Sequence, residues 1–419
     1  FTMIGVVGAP VFVQVMAPGF SSDPEKFEAT VVMLRWTFPY LFFISLVALA
    51  AGILNTHNRF AAAAATPILL NVCLIVTVCF FVPANIDSSI VLGVGVLIAG
   101  IIQFAFQFPF LKRVSRIPSP KLLAKDKTQA RGAEGVKQVM TLMVPAIFGV
   151  SIAQINLLIN TVLASFLVTG SVSWLYYSDR LMEFPLGVFG VALATVILPS
   201  LSRHIAENQE DAYNETLNWA LKLVFLVCLP AAVGLVLLAF PLIVTLFNYG
   251  AFSDMDAEMS ARSLAAFSIG LVGFVAVKVL APGFYARKNT KTPVVIGAVA
   301  MAVNAVVALS LIWHFDHVGL ALATSIAGLV NASLLFWQLK KVSGFLLSPE
   351  WPSFLFKVLI SVSTMGLVLF WGVPENIFWL DSDVFQRITS LTFWIVIGGT
   401  VYVLALYLCR IPVHRFFER

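Results

Sequence analysis

Charged side chains are scarce in this chain: Asp, Glu, Lys and Arg together make up 11% of 419 residues. Soluble domains carry about a quarter. With 60% apolar residues and a mean hydropathy of +0.95, that scarcity excludes a soluble globular protein and indicates a polytopic membrane protein. Cysteine is also sparse. Cys73, Cys79, Cys228 and Cys409 fall in hydrophobic segments without paired spacing, so they read as buried small apolar residues and not as a disulfide or metal framework. His57, His204, His314, His317 and His414 fall in expected loops or the tail, with no carboxylate or cysteine at zinc spacing. His314 and His317, beside Asp316, read as a polar turn. No phosphate-binding glycine loop opens a helix in a soluble unit, which excludes an ATP-driven pump for this chain acting alone. Nothing in the chain calls for a cofactor.

Long hydrophobic runs are abundant. Stretches of about 20 apolar residues predict twelve helices, at approximately 1–17, 29–54, 61–82, 88–111, 138–168, 172–201, 217–247, 257–286, 293–314, 318–340, 353–373 and 386–409. Prolines 39, 145, 185, 230 and 241 fall inside these runs, as helix bundles tolerate. Phe1 already lies in an apolar segment, with no initiator Met and no polar lead, so the chain is expected to be the remainder of a longer protein.

Loop charge alternates. One set holds Arg59, the run from Lys112 to Lys137, Arg203, Arg287, Lys288, Lys291, Lys340, Lys341, Arg410, Arg415 and Arg419. The other is acidic, with Asp23, Glu25, Glu28, Asp87, Asp254, Asp256, Glu258, Asp316, Glu375, Asp381 and Asp383 against little more than Lys26 and Arg387. By the positive-inside rule the first helix runs outward and the C-terminus is cytoplasmic. The net charge of +5 is thus a topology signal, with no support for nucleic-acid binding. The basic stretch 112–137 reads as a cytoplasmic linker between two halves; the alternative is attraction to anionic membrane lipids, worth about 1 kcal/mol per basic residue.

An internal repeat marks those halves. Ile98-Ala99-Gly100-Ile101-Ile102-Gln103 recurs as Ile326-Ala327-Gly328-Leu329-Val330-Asn331, a constant 228 residues on, and Thr66-Pro67 recurs as Thr292-Pro293, 226 on, both opening a helix. The repeated units are six helices apart, so orientation is preserved and the repeat is parallel, a transporter plan with the site between the halves. The expected architecture is all-α: an N-terminal lobe over 1–111, the linker 112–137, a C-terminal lobe over 138–341, and two additional helices with a tail over 342–419. Each lobe of such a repeat has six helices. Only four precede the linker, so two are expected to lie upstream, making twelve of fourteen present.

One expected span carries charges at its middle. Asp179, Arg180 and Glu183 interrupt the run from about Ser171 to Leu201, where an ionised group costs about 2.5–3.5 kcal/mol on insertion scales and is normally turned to a bundle interior or a wet cavity. Arg180 and Glu183, three apart, share a helical face. Asp179 lies about 100° away, and either caps a broken turn or faces another lobe. A guanidinium presents two parallel donors to a phosphate; the competing reading is a structural ion pair that fixes packing. Ser173 and Asn160 are further hydrogen-bonding candidates toward a head group, or bond across helices. Lys278 and Arg262 interrupt the run 257–286 as gate or cavity candidates, Arg262 near the outer end where it can snorkel, as Arg35 can.

The run Gly170-Ser171-Val172-Ser173-Trp174-Leu175-Tyr176-Tyr177-Ser178-Asp179-Arg180-Leu181-Met182-Glu183-Phe184-Pro185, with Thr37-Phe38-Pro39-Tyr40, Ile53-Leu54-Asn55-Thr56, Leu198-Pro199-Ser200-Leu201-Ser202 and Lys278-Val279-Leu280-Ala281-Pro282-Gly283-Phe284-Tyr285, closely resembles the MurJ (MviN) family of lipid II flippases. That family sits in the multidrug, oligosaccharidyl-lipid and polysaccharide exporter superfamily. The resemblance implies an inner-membrane protein that exports undecaprenyl-pyrophosphate-linked lipid II by alternating access through a cationic cavity, with cell wall synthesis proteins as partners. Arg180 matches an arginine thought to hold the pyrophosphate and Glu183 the acidic residue of the same helix; the family's other key arginines and an aspartate are expected upstream of Phe1. Polysaccharide-repeat flippases and multidrug antiporters of the superfamily are the alternatives, the latter preferring acidic cavities. With no ATPase, energy is expected from the membrane potential or an ion gradient.

Overall fold

The computed structural model describes residues 2–57, 59–81, 88–114, 141, 143 and 154–411. Most of the linker 112–137, Asp87, Pro145, the start of the expected helix 138–168, and His414, Arg415 and Arg419 lie outside the described residues. The chain divides into two compact units, Phe1–Ile147 and Phe148–Arg419.

In the first unit α1 (Thr2–Val7) and α2 (Ala9–Met16) are separate helices, so the expected run 1–17 is broken at Gly8. They lead through a 3-10 turn (Pro18–Ser22) to α3 (Pro24–Thr56), α4 (Phe60–Phe81) and α5 (Ser88–Arg113). Asp23 caps α3 by accepting from the Lys26 N–H at 3.2 Å, which satisfies one of the orphan donors of a helix start. Pro67 sits two turns inside α4, so Thr66-Pro67 does not open that helix, whereas Pro293 is the third residue of its own. Thr66 instead anchors α5. Buried Gln103 donates to its carbonyl at 3.0 Å, buried Gln107 donates to its Oγ1 at 2.9 Å, and Tyr40 of α3 donates to Gln103 Oε1 at 3.3 Å. The three helices therefore share one polar network where lipid offers no alternative partner, with Gln107 Oε1 left unpartnered within it.

The second unit comprises α6 (Gln154–Ser165), α7 (Ser171–Pro185), a π turn (Leu186–Val191), α8 (Ala192–Ala206), α9 (Glu210–Leu237), α10 (Ala239–Phe247), α11 (Asp254–Ile269), α12 (Leu271–Ala286), α13 (Lys291–Ser343), α14 (Trp351–Gly372), α15 (Asn376–Asp381) and α16 (Val384–Leu408). Its core runs through Leu217, Leu271, Leu280, Phe284 and Trp379, all nearly inaccessible. As a straight rod, α13 would separate residues 20 apart by about 30 Å. Thr324 nonetheless donates to Asn304 Oδ1 at 3.3 Å, because Asp316 (φ 47°, ψ −132°) folds the run into two antiparallel arms. Those arms are the expected helices 293–314 and 318–340. Among the described residues nine helices are long and apolar enough to cross a membrane, and no strand occurs. The difference from twelve comes from broken α1–α2, the partly described segment around α6 and the joined arms of α13.

Several polar residues take places that hydropathy did not indicate. Arg387, expected as a loop charge, is buried. Its guanidinium donates to the carbonyls of Asn248 at 3.3 Å and Leu380 at 2.9 Å, so it ties α16 to the carbonyl end of α10, where the helix dipole favours a cation. Asn218 accepts from Trp351 Nε1 at 2.7 Å and from the Ser348 N–H at 3.0 Å, docking α14 onto α9. His204 lies in α8 and His314 in the first arm of α13, not in loops, and His317 is buried with Nε2 3.2 Å from the Met259 carbonyl. Of the cysteines only Cys228 is buried; Cys79 is exposed on α4. In a bilayer an exposed thiol of apolar character faces a solvent as apolar as a core, so hydrophobicity alone cannot tell the two places apart.

Candidate functional site

The geometry of α7 follows from its small residues. Gly170 precedes it at φ +106°, and a Cβ there would fall 2.6 Å from the Trp174 ring, so only glycine admits this entry. Ser171, Trp174, Ser178, Met182 and Pro185 form the buried face. Ser178 donates to the Ser260 carbonyl at 2.6 Å and Trp174 Nε1 donates to Asp256 Oδ1 at 2.6 Å, fixing α7 against α11. The opposite stripe, Ser173, Tyr176, Arg180, Glu183 and Gly187, is exposed. Its spacing of three and four residues is one helical face.

Arg180 holds two contacts on that stripe. Nη1 donates to Glu183 Oε2 at 2.7 Å, and the guanidinium carbon stands 5.0 Å from the centre of the Tyr176 ring, within cation–π range. About half of each charged side chain is exposed, so the ion pair is worth no more than about 1 kcal/mol and is open to competition. Arg180 and Asp179 both line a cavity of about 340 Å³ with Tyr176, Asn156, Asn160 and Thr324. Asp179 does not cap a broken turn, since α7 is continuous there, and it lines the same cavity as Arg180. Ser173 is on the same exposed stripe but is absent from the cavity wall. It lies about 10 Å along the helix axis from Arg180.

Behind the cavity stands an amide network that the sequence only half revealed. Asn304 donates to Asn156 Oδ1 at 2.8 Å and to Asn160 Oδ1 at 3.0 Å, and Asn160 donates to Thr324 at 3.1 Å. Asn160 thus both bonds across helices and lines the cavity. The signal for it was the pair Asn156 and Asn160, four apart on an apolar helix; Asn304 and Thr324 lie too far along the chain to be linked by periodicity.

Lys278 lines a second cavity of about 520 Å³, whose wall also contains Asn156, Thr324, Leu186, Tyr285 and Asn331. Pro185 has no N–H to give the Leu181 carbonyl, and directly after it the helix widens into the π turn. This brings Gly190 onto the Lys278 stem, whose Cγ would be 3.5 Å from a Cβ at that position. Arg262 is elsewhere. It pairs with Glu258 on α11 and lines a separate space of about 360 Å³ with Leu369 and Phe370 of α14, so it shares neither cavity. Arg35 is on α3, in the first unit. Among the described residues no cluster of three His, Cys, Asp or Glu side chains suited to a metal ion occurs.

The geometry so described has relatives. The family model described as "Lipid II flippase MurJ" matches residues 1–389. A "Probable lipid II flippase MurJ" from Haemophilus influenzae (strain ATCC 51907 / DSM 11121 / KW20 / Rd) is 40% identical over all of this chain and 83% of its own length. The solved "Lipid II flippase MurJ, inward closed conformation" superposes with a TM-score of 0.79 at 25% identity, covering all of this chain and 81% of that one. A multidrug resistance MATE family transporter of the MOP superfamily, inward-facing, gives a TM-score of 0.65 at 14% identity over 82% of this chain and 79% of its own, a likeness of fold alone.

Proposed function

The chain belongs to the lipid II flippase MurJ family, and on that premise we propose that Arg180, held between Glu183 and Tyr176, grips the pyrophosphate of lipid II during transport. The chain is a multi-pass membrane transporter that carries lipid II from the inner to the outer leaflet by alternating access, supplying peptidoglycan synthesis. It acts in the cytoplasmic membrane with its C-terminus inside, a topology supported by the basic and acidic loop sets, and it performs no covalent step.

The observation that carries the Arg180 assignment is the half-exposed ion pair at the edge of a cavity whose largely apolar wall carries Asn156, Asn160, Thr324 and Asp179. An empty site keeps the guanidinium on Glu183. An arriving pyrophosphate offers more charge and two coplanar acceptors, displaces Glu183, and so gives the loaded state contacts that the empty state lacks. A ligand shifts a conformational equilibrium only by such a difference in affinity. Arg180→Ala is expected to reduce lipid II translocation in reconstituted vesicles by roughly 10–100-fold, the worth of a charge-assisted hydrogen bond, with normal membrane insertion. Wild-type flipping by that variant would reduce the pair to packing, and tighter binding of an organic cation than of lipid II would favour a cation antiporter.

Export of an anion is driven by an inside-negative potential, at about 2.3 kcal/mol per charge for each 100 mV. Dissipating the potential in vesicles preloaded with lipid II is therefore expected to slow flipping. Undiminished flipping without a potential would leave an ion gradient or downstream consumption as the source.

A further inference from the structure

We propose that the Lys278 cavity is a second subsite, which takes the polar end of lipid II beyond its pyrophosphate: a peptide carboxylate on Lys278 and a sugar hydroxyl or amide on Asn331. The inference rests on the lipid II reading and extends it. Three observations converge on the cavity. Lys278 is exposed to it, and among the described residues no carboxylate pairs with the ammonium group. Asn331 lines the same wall with Oδ1 buried and unpartnered. An unmet cation beside an unmet amide calls for an occupant that brings an oxyanion together with O–H or N–H groups, since a buried amide without a partner is costly.

The third observation is the repeat. Asn331 occupies the position equivalent to Gln103, 228 residues earlier. Gln103 spends its amide on Thr66 and Tyr40, whereas Asn331, one methylene shorter, makes no such bond: its Oδ1 is buried and unpartnered in a residue that lines the cavity, and a turn of the amide presents it to a ligand. The two cavities of the second unit share Asn156 and Thr324 in their walls, so one elongated head group spans both. The π turn that follows α7 packs on the Lys278 stem, linking the two subsites through a single helix.

The test compares ligands that differ only beyond the pyrophosphate. Affinities of the purified protein in lipid nanodiscs are measured for lipid II, for undecaprenyl pyrophosphate and for neutral undecaprenol. Lys278→Met and Asn331→Leu are each expected to weaken lipid II binding by roughly tenfold while binding undecaprenyl pyrophosphate within about twofold of wild type, which also certifies their fold; Arg180→Ala weakens both anionic ligands. Equal loss on both ligands for Lys278→Met would assign Lys278 to the pyrophosphate and overturn the proposal. Unchanged binding of both would overturn it in favour of a gate. If wild type binds neither anionic lipid better than undecaprenol, the lipid II reading itself falls, an outcome separable from the other two.

Discussion

The two units solve the same packing problem and use the repeated amide differently. In each, a glycine of the repeated segment receives an aromatic ring from a neighbouring helix: a Cβ on Gly100 would fall 2.7 Å from the Tyr40 ring, and one on Gly328 would overlap the Phe274 ring. Small residues at such crossings let helices approach where no hydrophobic driving force separates protein from lipid. Three positions further on, the first unit closes Gln103 into a network with Thr66 and Tyr40, while the second leaves Asn331 open beside Lys278. Packing tolerated duplication, whereas the repeated amide kept its partners in the first unit and in the second was left without one on a cavity wall, where a ligand is expected.

That comparison can be broken at its packing half first. Gly100→Val and Gly328→Val each force a ring to move, with an expected loss of about 1–3 kcal/mol apiece, read as lowered thermal midpoints in detergent. Similar losses in both units are expected; a large loss in only one would show that the repeated glycines do different work. The polar half gives a smaller and more discriminating effect. Gln103→Leu removes one donated and one accepted bond and is expected to destabilise by about 1–2 kcal/mol. Asn331→Leu removes only an unpartnered amide, so stability should stay within about 0.5 kcal/mol or rise. Equal destabilisation by both would mean that Asn331 has a structural partner and is not reserved for a ligand.

Much of the architecture was legible because bilayers leave the chain few options. A run of about 20 apolar residues must satisfy its own backbone, so it is a helix, and α3, α4, α5, α14 and α16 fall where hydropathy placed them, whereas the expected run 217–247 starts earlier and is divided at Leu238 into α9 and α10. The pairing of Arg180 with Glu183 was legible for the same local reason, since residues three apart on a helix are neighbours. The place of Asp179 beside Arg180 was left open by periodicity, because a 100° step is small beside the width of a cavity, which both side chains line. Which cavity Arg262 lines was not legible, because its wall is shared with Leu369 and Phe370 of α14, far along the chain, and the sequence alone does not say which neighbour meets which face of α11. The buried place of Arg387 was invisible because it donates to main-chain carbonyls, of Asn248 at the end of α10 and of Leu380 in α15, which carry no side-chain signature.

By itself, then, the sequence determined a multi-pass helical protein, an internal duplication, and a charged helix whose motif belongs to lipid II flippases, because hydropathy, periodicity and local motifs act over a few turns of chain. The tertiary structure decided which polar groups meet. Lys278 and Asn331 come from different helices onto one cavity, and Asn156, Asn160, Asn304 and Thr324 close their network across a chain reversal at Asp316. Those encounters depend on how helices cross and where a π turn or a fold-back interrupts them, and such choices are fixed by contacts between segments far apart in sequence.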